Sequence, residues 1–161
     1  MKLEHTLTYD GPPDAVFAVL SDPEYVEEKC WATFATEAGV TVEPDGDGVV
    51  IRTVRSLPAK VPSYAKSFVG DSIEVDQTET WGSPAADGSR DGTVEATFTG
   101  TPLKVKGTLR LEPSDAGTTL VLKGDVKAGI PLVGGKIEGF ASDQIIKGLE
   151  REAAAANARL A

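Results

Sequence analysis

The stretch Asp125–Ile146, "DVKAGIPLVGGKIEGFASDQII", passes from alternating apolar residues through a proline and two glycines into a helical pattern. A strand, a Gly-rich turn ending in Lys and a helix is also the setting in which backbone amides cradle nucleotide phosphates. The spacing excludes that motif. Gly135 and Lys136 could form its final Gly-Lys pair, but its first glycine position holds Ile130 and its magnesium-binding hydroxyl position holds Ile137. Two uses of the glycines remain. Gly134, Gly135 and Gly139 can remove side chains where backbone meets backbone at a hinge, with Pro131 ending the strand's ladder. Alternatively, exposed amides at the helix start can hold an anion.

Downstream of the turn the helical pattern runs from Val133 to Leu160, about 40 Å at the rise of an α-helix. Ile137, Ala141, Ile145, Leu149, Ala153, Ala156 and Leu160 form one apolar stripe along it. Upstream the pattern is β. Lys2–Tyr9 alternates, with Leu3, His5, Leu7 and Tyr9 on one side. "GPPDAVFAVLSDPEYVEEKCWATF" (Gly11–Phe34) predicts two short helices, the first over Ala15–Leu20 after a Pro pair and the second beginning at Asp22-Pro23. A hairpin follows over Val40–Leu57, turning at "DGDG" (Asp45–Gly48), which lacks the closing acidic residue of a calcium loop. Further strands are predicted over Ile73–Trp81, Thr93–Thr99, Val105–Glu112 and Thr118–Lys127. "GSPAADGSRDG" (Gly82–Gly92) reads as a long, mobile hairpin loop, and "PSDAG" (Pro113–Gly117) as a tight one.

No repeat or linker divides the chain, so residues 1–161 are expected to form one α+β domain, an antiparallel sheet of seven strands with a helix on one face. Hydrophobic residues make up 40% and charged residues 25%, as in ordinary globular proteins. The net charge of −9 opposes binding to nucleic-acid backbones and to anionic headgroups. A single cysteine, Cys30, excludes an intrachain disulfide framework, and with His5 the only histidine a zinc site lacks ligands. No apolar run reaches the roughly 20 residues of a membrane span, and the N-terminal segment alternates where a signal peptide would be uniformly apolar. A cytoplasmic protein without stable membrane insertion, and without cofactor, is expected.

The order of elements, with two short helices after strand one and the long helix last, resembles the START-like or helix-grip superfamily, which includes pollen-allergen proteins, lipid-transfer domains and polyketide cyclases. "VPSYAKSFVG" (Val61–Gly70), the tryptophan of "VDQTETW" (Val75–Trp81), "GTPLKVKGTLRLEP" (Gly100–Pro113) and "IPLVGGKIEGF" (Ile130–Phe140) resemble an uncharacterised bacterial branch of it. The resemblance spans essentially the whole chain. It implies a curved sheet wrapped on the C-terminal helix with a cavity between them, and it leaves activity open, because one such cavity serves many purposes.

Strand parity predicts what faces that interior. Val94, Ala96 and Phe98, then Val105, Gly107, Leu109 and Leu111, then Leu120, Leu122, Gly124 and Val126 point inward. With Glu74, Asp76, Thr78 and Thr80 on the wet side, Ile73, Val75, Gln77, Glu79 and Trp81 point inward too. In the hairpin, Ile51, Thr53, Arg55 and Leu57 share one parity, while Val50, Arg52 and Val54 fit the alternative. His5, Arg55, Gln77 and Glu79 then lie under the long helix among Leu57, Trp81, Phe98, Leu109, Ile137 and Phe140. Buried charges need partners. A cross-strand Arg55–Glu79 pair with His5 bonded nearby is the structural account, and a polar handle for a ligand is the functional one. Ser56–Gly70 places Val61, Tyr64, Phe68 and Val69 between prolines and lysines, as a flap over the cavity mouth or a short helix plugging the sheet's end. Trp31 and Phe34 are expected to pack where the second short helix meets the sheet, and Cys30 to be a small buried hydrophobe.

The function this supports is binding or carrying of a small hydrophobic molecule, a lipid, isoprenoid or polycyclic compound. Arg55, Leu57, Tyr64, Phe68, Gln77, Glu79, Trp81, Phe98, Leu109, Ile137 and Phe140 are the candidate ligand-binding residues. No catalytic motif is present. The alternatives are a polyketide cyclase- or dehydratase-like enzyme, with Glu79 or His5 moving protons and Arg55 stabilising an enolate, and an interaction module with a filled core.

Overall fold

Pairing between strands adjacent in sequence sets most of the strand order. A computed structural model describes residues 1–161. In it β1 (Lys2–Tyr9) leads to α1 (Pro13–Leu20) and α2 (Pro23–Ala32). There follow β2 (Glu37–Asp45), β3 (Gly48–Pro58), a short 3₁₀ turn (Lys66–Phe68), β4 (Ser72–Trp81), β5 (Arg90–Phe98), β6 (Leu103–Ser114), β7 (Gly117–Ala128) and α3 (Gly134–Leu160). The seven strands form one antiparallel sheet in the order β1-β7-β6-β5-β4-β3-β2. Strands two to seven therefore meander, and the first strand closes onto the last. Because β1 and β2 end up at opposite edges, α1 and α2 must carry the chain from one edge to the other. With α3 last, this is the helix-grip fold.

The polar loop after β4 is shorter and better tied than its composition suggests, because strand pairing continues back to Arg90. Ser89 donates to the Asp87 carboxylate from its N–H (3.0 Å) and its hydroxyl (2.6 Å). The Arg90 guanidinium lies 3.8 Å from the Phe17 ring centroid and donates to the carbonyls of Asp47 and Gly82. The free edge of β1 is covered as well. Asn157 of α3 accepts from the Asp10 N–H and donates to the Thr8 carbonyl, which blunts an edge that could otherwise pair with another chain.

The inward parity expected of β4 to β7 holds, with Val75, Trp81, Val94, Leu109, Leu111, Leu122 and Val126 buried, and in β3 the alternative carrying Ile51 and Thr53 is the buried one. Leu111, Trp81, Phe17, Val16 and Tyr25 make the dense end of the core, where Phe17 meets Trp81 edge to face at 5.6 Å. Ala153 and Ala156 seat α3 tightly there. Farther toward its N-terminus, Ile145 and Leu149 are only half-buried, as are Leu57, Ile73 and Phe98 of the sheet facing them. That apolar surface is neither packed nor fully in solvent.

At the hinge the glycines separate into one that is required and two that are not. A Cβ on Gly134 would lie 2.7 Å from the Ala128 carbonyl oxygen, so helix and strand end meet backbone to backbone at that residue alone. Gly135 has open space around it, and Gly139 would meet only the end of the Met1 side chain at 3.6 Å. Glu138 of α3 turns back and accepts from the Ala128 N–H at 3.1 Å, which holds its carboxyl below the usual carboxylate range. Its other oxygen accepts from the N-terminal ammonium at 3.0 Å, so Glu138 ties α3 to the end of β7 and to the start of β1. Gly134→Ala should destabilise the fold by about 1–3 kcal/mol through overpacking, whereas Gly135→Ala should be neutral or stabilising by about 0.5–1 kcal/mol. Chemical denaturation of the two variants checks the contrast.

Candidate functional site

Between the unfilled half of the sheet and α3 lies a cavity of about 460 Å³, and 27 of the 41 residues lining it are hydrophobic. Arg55, Leu57, Phe68, Gln77, Glu79, Trp81, Phe98, Leu109, Ile137 and Phe140 all contribute to its wall. Tyr64 does not. It is 36% exposed, with its ring beside the Lys136 ammonium and its hydroxyl 3.5 Å from the Lys136 carbonyl oxygen. The reason is local periodicity. Val61, Ala65 and Phe68 share one side of the segment and pack on Ala128, Ile130, Val133 and Ile137, which leaves Tyr64 on the other side. The segment therefore closes one end of the cavity with apolar side chains.

The expectation that Trp31 and Phe34 belong to the core is overturned. Trp31 is 45% exposed because α2 buries the face carrying Tyr25, Val26, Lys29 and Cys30, one step around the helix from it. Phe34 is 62% exposed, takes a left-handed backbone conformation (φ 70°) and lines the cavity with the Arg151 guanidinium 4.8 Å from its ring. Phe34, Lys60, Gln144 and Arg151 are exposed residues of the lining and mark its rim.

The expected Arg55–Glu79 pair is absent. Register places Ile51 opposite Glu79 and Val75 opposite Arg55, so the two charges share a face but sit four residues apart along β3. Each finds a partner from a helix. The Lys29 ammonium of α2, in a residue only 6% exposed, lies 3.7 Å from Glu79 and 3.7 Å from Glu152 of α3. The Arg55 guanidinium lies 3.7 Å from the other Glu152 oxygen and 3.5 Å from the Thr33 hydroxyl, while its Nε is buried without a partner. Tyr25 donates its hydroxyl to the Glu152 backbone carbonyl at 2.7 Å. His5 also lines the cavity, but it is four strands from Glu79 in sheet order and bonds through Nε2 to Glu150 of α3.

Lys29 and Glu152 were missed by strand parity because neither is on a strand. Their signal was nevertheless present: each interrupts an apolar helical face, Lys29 beside Tyr25 and Val26, and Glu152 between Leu149 and Ala156. Burial alone would lower the Lys29 ammonium, but the carboxylates of Glu152 and Glu79 outweigh it and hold the group above its ordinary value. Burial first, then neighbouring negative charge, pushes the Tyr9 and Tyr25 phenols far above their ordinary range. Burial likewise raises the Cys30 thiol, making it an unreactive core residue. At neutral pH the ammonium and the two phenols therefore keep their protons.

A family model described as "Protein of unknown function (DUF2505)" matches residues 4–160. The chain belongs to that family. Among curated proteins, none matches its sequence. Solved structures do resemble it. A protein from Thermus thermophilus is 17% identical with a TM-score of 0.65, over 99% of this chain and 96% of that one. A STAR-related lipid transfer protein from Xanthomonas axonopodis is 16% identical with a TM-score of 0.58, over 95% and 85%. A Rhodobacter sphaeroides protein is 18% identical with a TM-score of 0.57, over 99% and 91%. At these identities the likeness is one of fold. No helix of this DUF2505 member is long and apolar enough to cross a membrane.

Two outcomes follow from the charged cluster. Lys29→Met leaves two carboxylates without their shared cation and should cost about 3–5 kcal/mol in denaturant unfolding. On the alkaline side, Tyr9 and Tyr25 keep their protons in the folded chain at pH values where unfolded tyrosines, ordinarily near about 10, have lost theirs. The folded state then binds more protons than the unfolded one, so stability is full below that range and falls as pH rises above it. Lys29 acts in the same direction. Phenolate absorbance should show two of the three tyrosines ionising only on unfolding.

Proposed function

We propose that this protein binds and carries a small hydrophobic molecule, a lipid, isoprenoid or polycyclic compound, in the cavity between sheet and C-terminal helix, acting in the cytoplasm. The observation that carries this function is the unfilled, mainly apolar space of about 460 Å³, inside the range of small-molecule sites and lined by residues a packed module would have brought into contact. Leu57, Phe68, Trp81, Phe98, Leu109, Ile137 and Phe140 contribute to the apolar walls, and Arg55, Gln77 and Glu79 belong to the polar minority that orients the guest. The Xanthomonas neighbour, a lipid transfer protein of the same fold, supports the assignment.

Native mass spectrometry of protein taken directly from cell extract should show an adduct that organic extraction removes. Protein carrying no adduct, and taking up no apolar dye, would count against a carrier. Phe98→Ala should enlarge existing space and cost about 1 kcal/mol, where a solidly packed phenylalanine would cost about 3–5 kcal/mol.

A further inference from the structure

We infer that the ligand is uncharged and bears a hydroxyl or carbonyl group that seats against Lys29, Arg55, Glu79 and Glu152, on an otherwise apolar body. This rests on the carrier function and adds the chemical class of what is carried. The four groups are brought together from α2, β3, β4 and α3, and all of them line the cavity. Their ion pairs stand at 3.7 Å, beyond the 2.7–2.9 Å or so of a charge-assisted hydrogen bond. Lys29 and Arg55 therefore keep donor capacity, and both carboxylates keep acceptor capacity, beside an open space.

Charge decides what can use that capacity. Two cations and two carboxylates cancel, so an ionised head placed among them would lose its hydration without gaining a counter-charge. Lys60 and Arg151 also line the cavity, but both are exposed at its rim, where water and salt screen them. The Arg151 guanidinium, moreover, lies over Phe34. A purely hydrocarbon guest fails for the opposite reason, because it would dry the cluster while satisfying none of its donors. A hydroxyl accepts from one cation and donates to one carboxylate, and a carbonyl accepts from either cation. Both fill the gap at no net charge.

Fluorescence binding with pyrenebutanol, pyrenebutyrate and butylpyrene, three probes sharing one apolar body, tests this at neutral pH. The alcohol should bind at least about tenfold more tightly than the carboxylate or the hydrocarbon. Glu79→Gln keeps the side chain's shape and leaves one positive charge in excess, so it should strengthen pyrenebutyrate by about tenfold relative to the alcohol. Arg55→Met should weaken pyrenebutyrate further and erase the alcohol's advantage over butylpyrene, and it gives an independent result if the first variant does not fold. Saturable binding of all three probes with equal affinity overturns the inference and leaves the carrier standing. So does a wild-type preference for the carboxylate, or a ranking that neither substitution moves, as a head group seated at the rim would give. If no probe binds, the carrier function and the inference fall together.

Discussion

Glu152 sits where three parts of the molecule meet. Its carboxylate faces Lys29 of α2 on one side and Arg55 of β3 on the other, and its backbone carbonyl receives the Tyr25 hydroxyl. α1 and α2 are the crossing between the two edges of the sheet, and α3 is the rod the sheet wraps. One helical residue therefore ties the crossing, the sheet and the rod together. A buried carboxylate with two cations costs desolvation, and such clusters define geometry more surely than they add stability. Here the geometry they define is the distance at which α3 stands off from the sheet.

Side-chain size along α3 completes that standoff. Ala153 and Ala156 let the C-terminal half of the helix approach α1, α2 and the Trp81 end of the core closely. Toward the N-terminal half, Ile145 and Leu149 are half-buried beside space that the sheet does not fill, and the helix is seated again at Ala141, at Ile137 and at the Gly134 contact with Ala128. A rod seated closely at both ends of a curved surface leaves space under its middle. The cavity is the geometrical remainder, bounded at the hinge end by Val61, Ala65 and Phe68 and bordered at its rim by Phe34.

Paired glycines help the sheet take this form. Gly107 and Gly124 face each other in register on the inner surface of β6 and β7, and a Cβ on Gly124 would collide with the Lys106 carbonyl oxygen. With no side chains on the inner face there, the two strands approach at backbone distance and leave room for the rod to cross.

Much of this was legible in the residues. Lys2–Tyr9 matched its strand residue for residue, and the long helix began within one residue of its expected start. Alternation along β4 put Gln77 and Glu79 inside, because a period of two leaves only one face for polar groups when the other is already wet. What the sequence by itself determined is thus the order of elements and the inward faces of β1 and of β4 to β7, since both follow from periodicities local to the chain, whereas β3 allowed either face. Which charge meets which was decided by tertiary structure. Glu79 and Arg55 lie 24 residues apart on adjacent strands yet do not pair, while Lys29 and Glu152, 123 residues apart on two helices, meet in the same cluster. Ion pairing depends on angstroms set by helix placement over the sheet, and no local period carries that information. The same limit hid the exposure of Phe34 and the outward turn of Tyr64, two aromatics whose composition suggests interior and whose backbone path puts them at the surface.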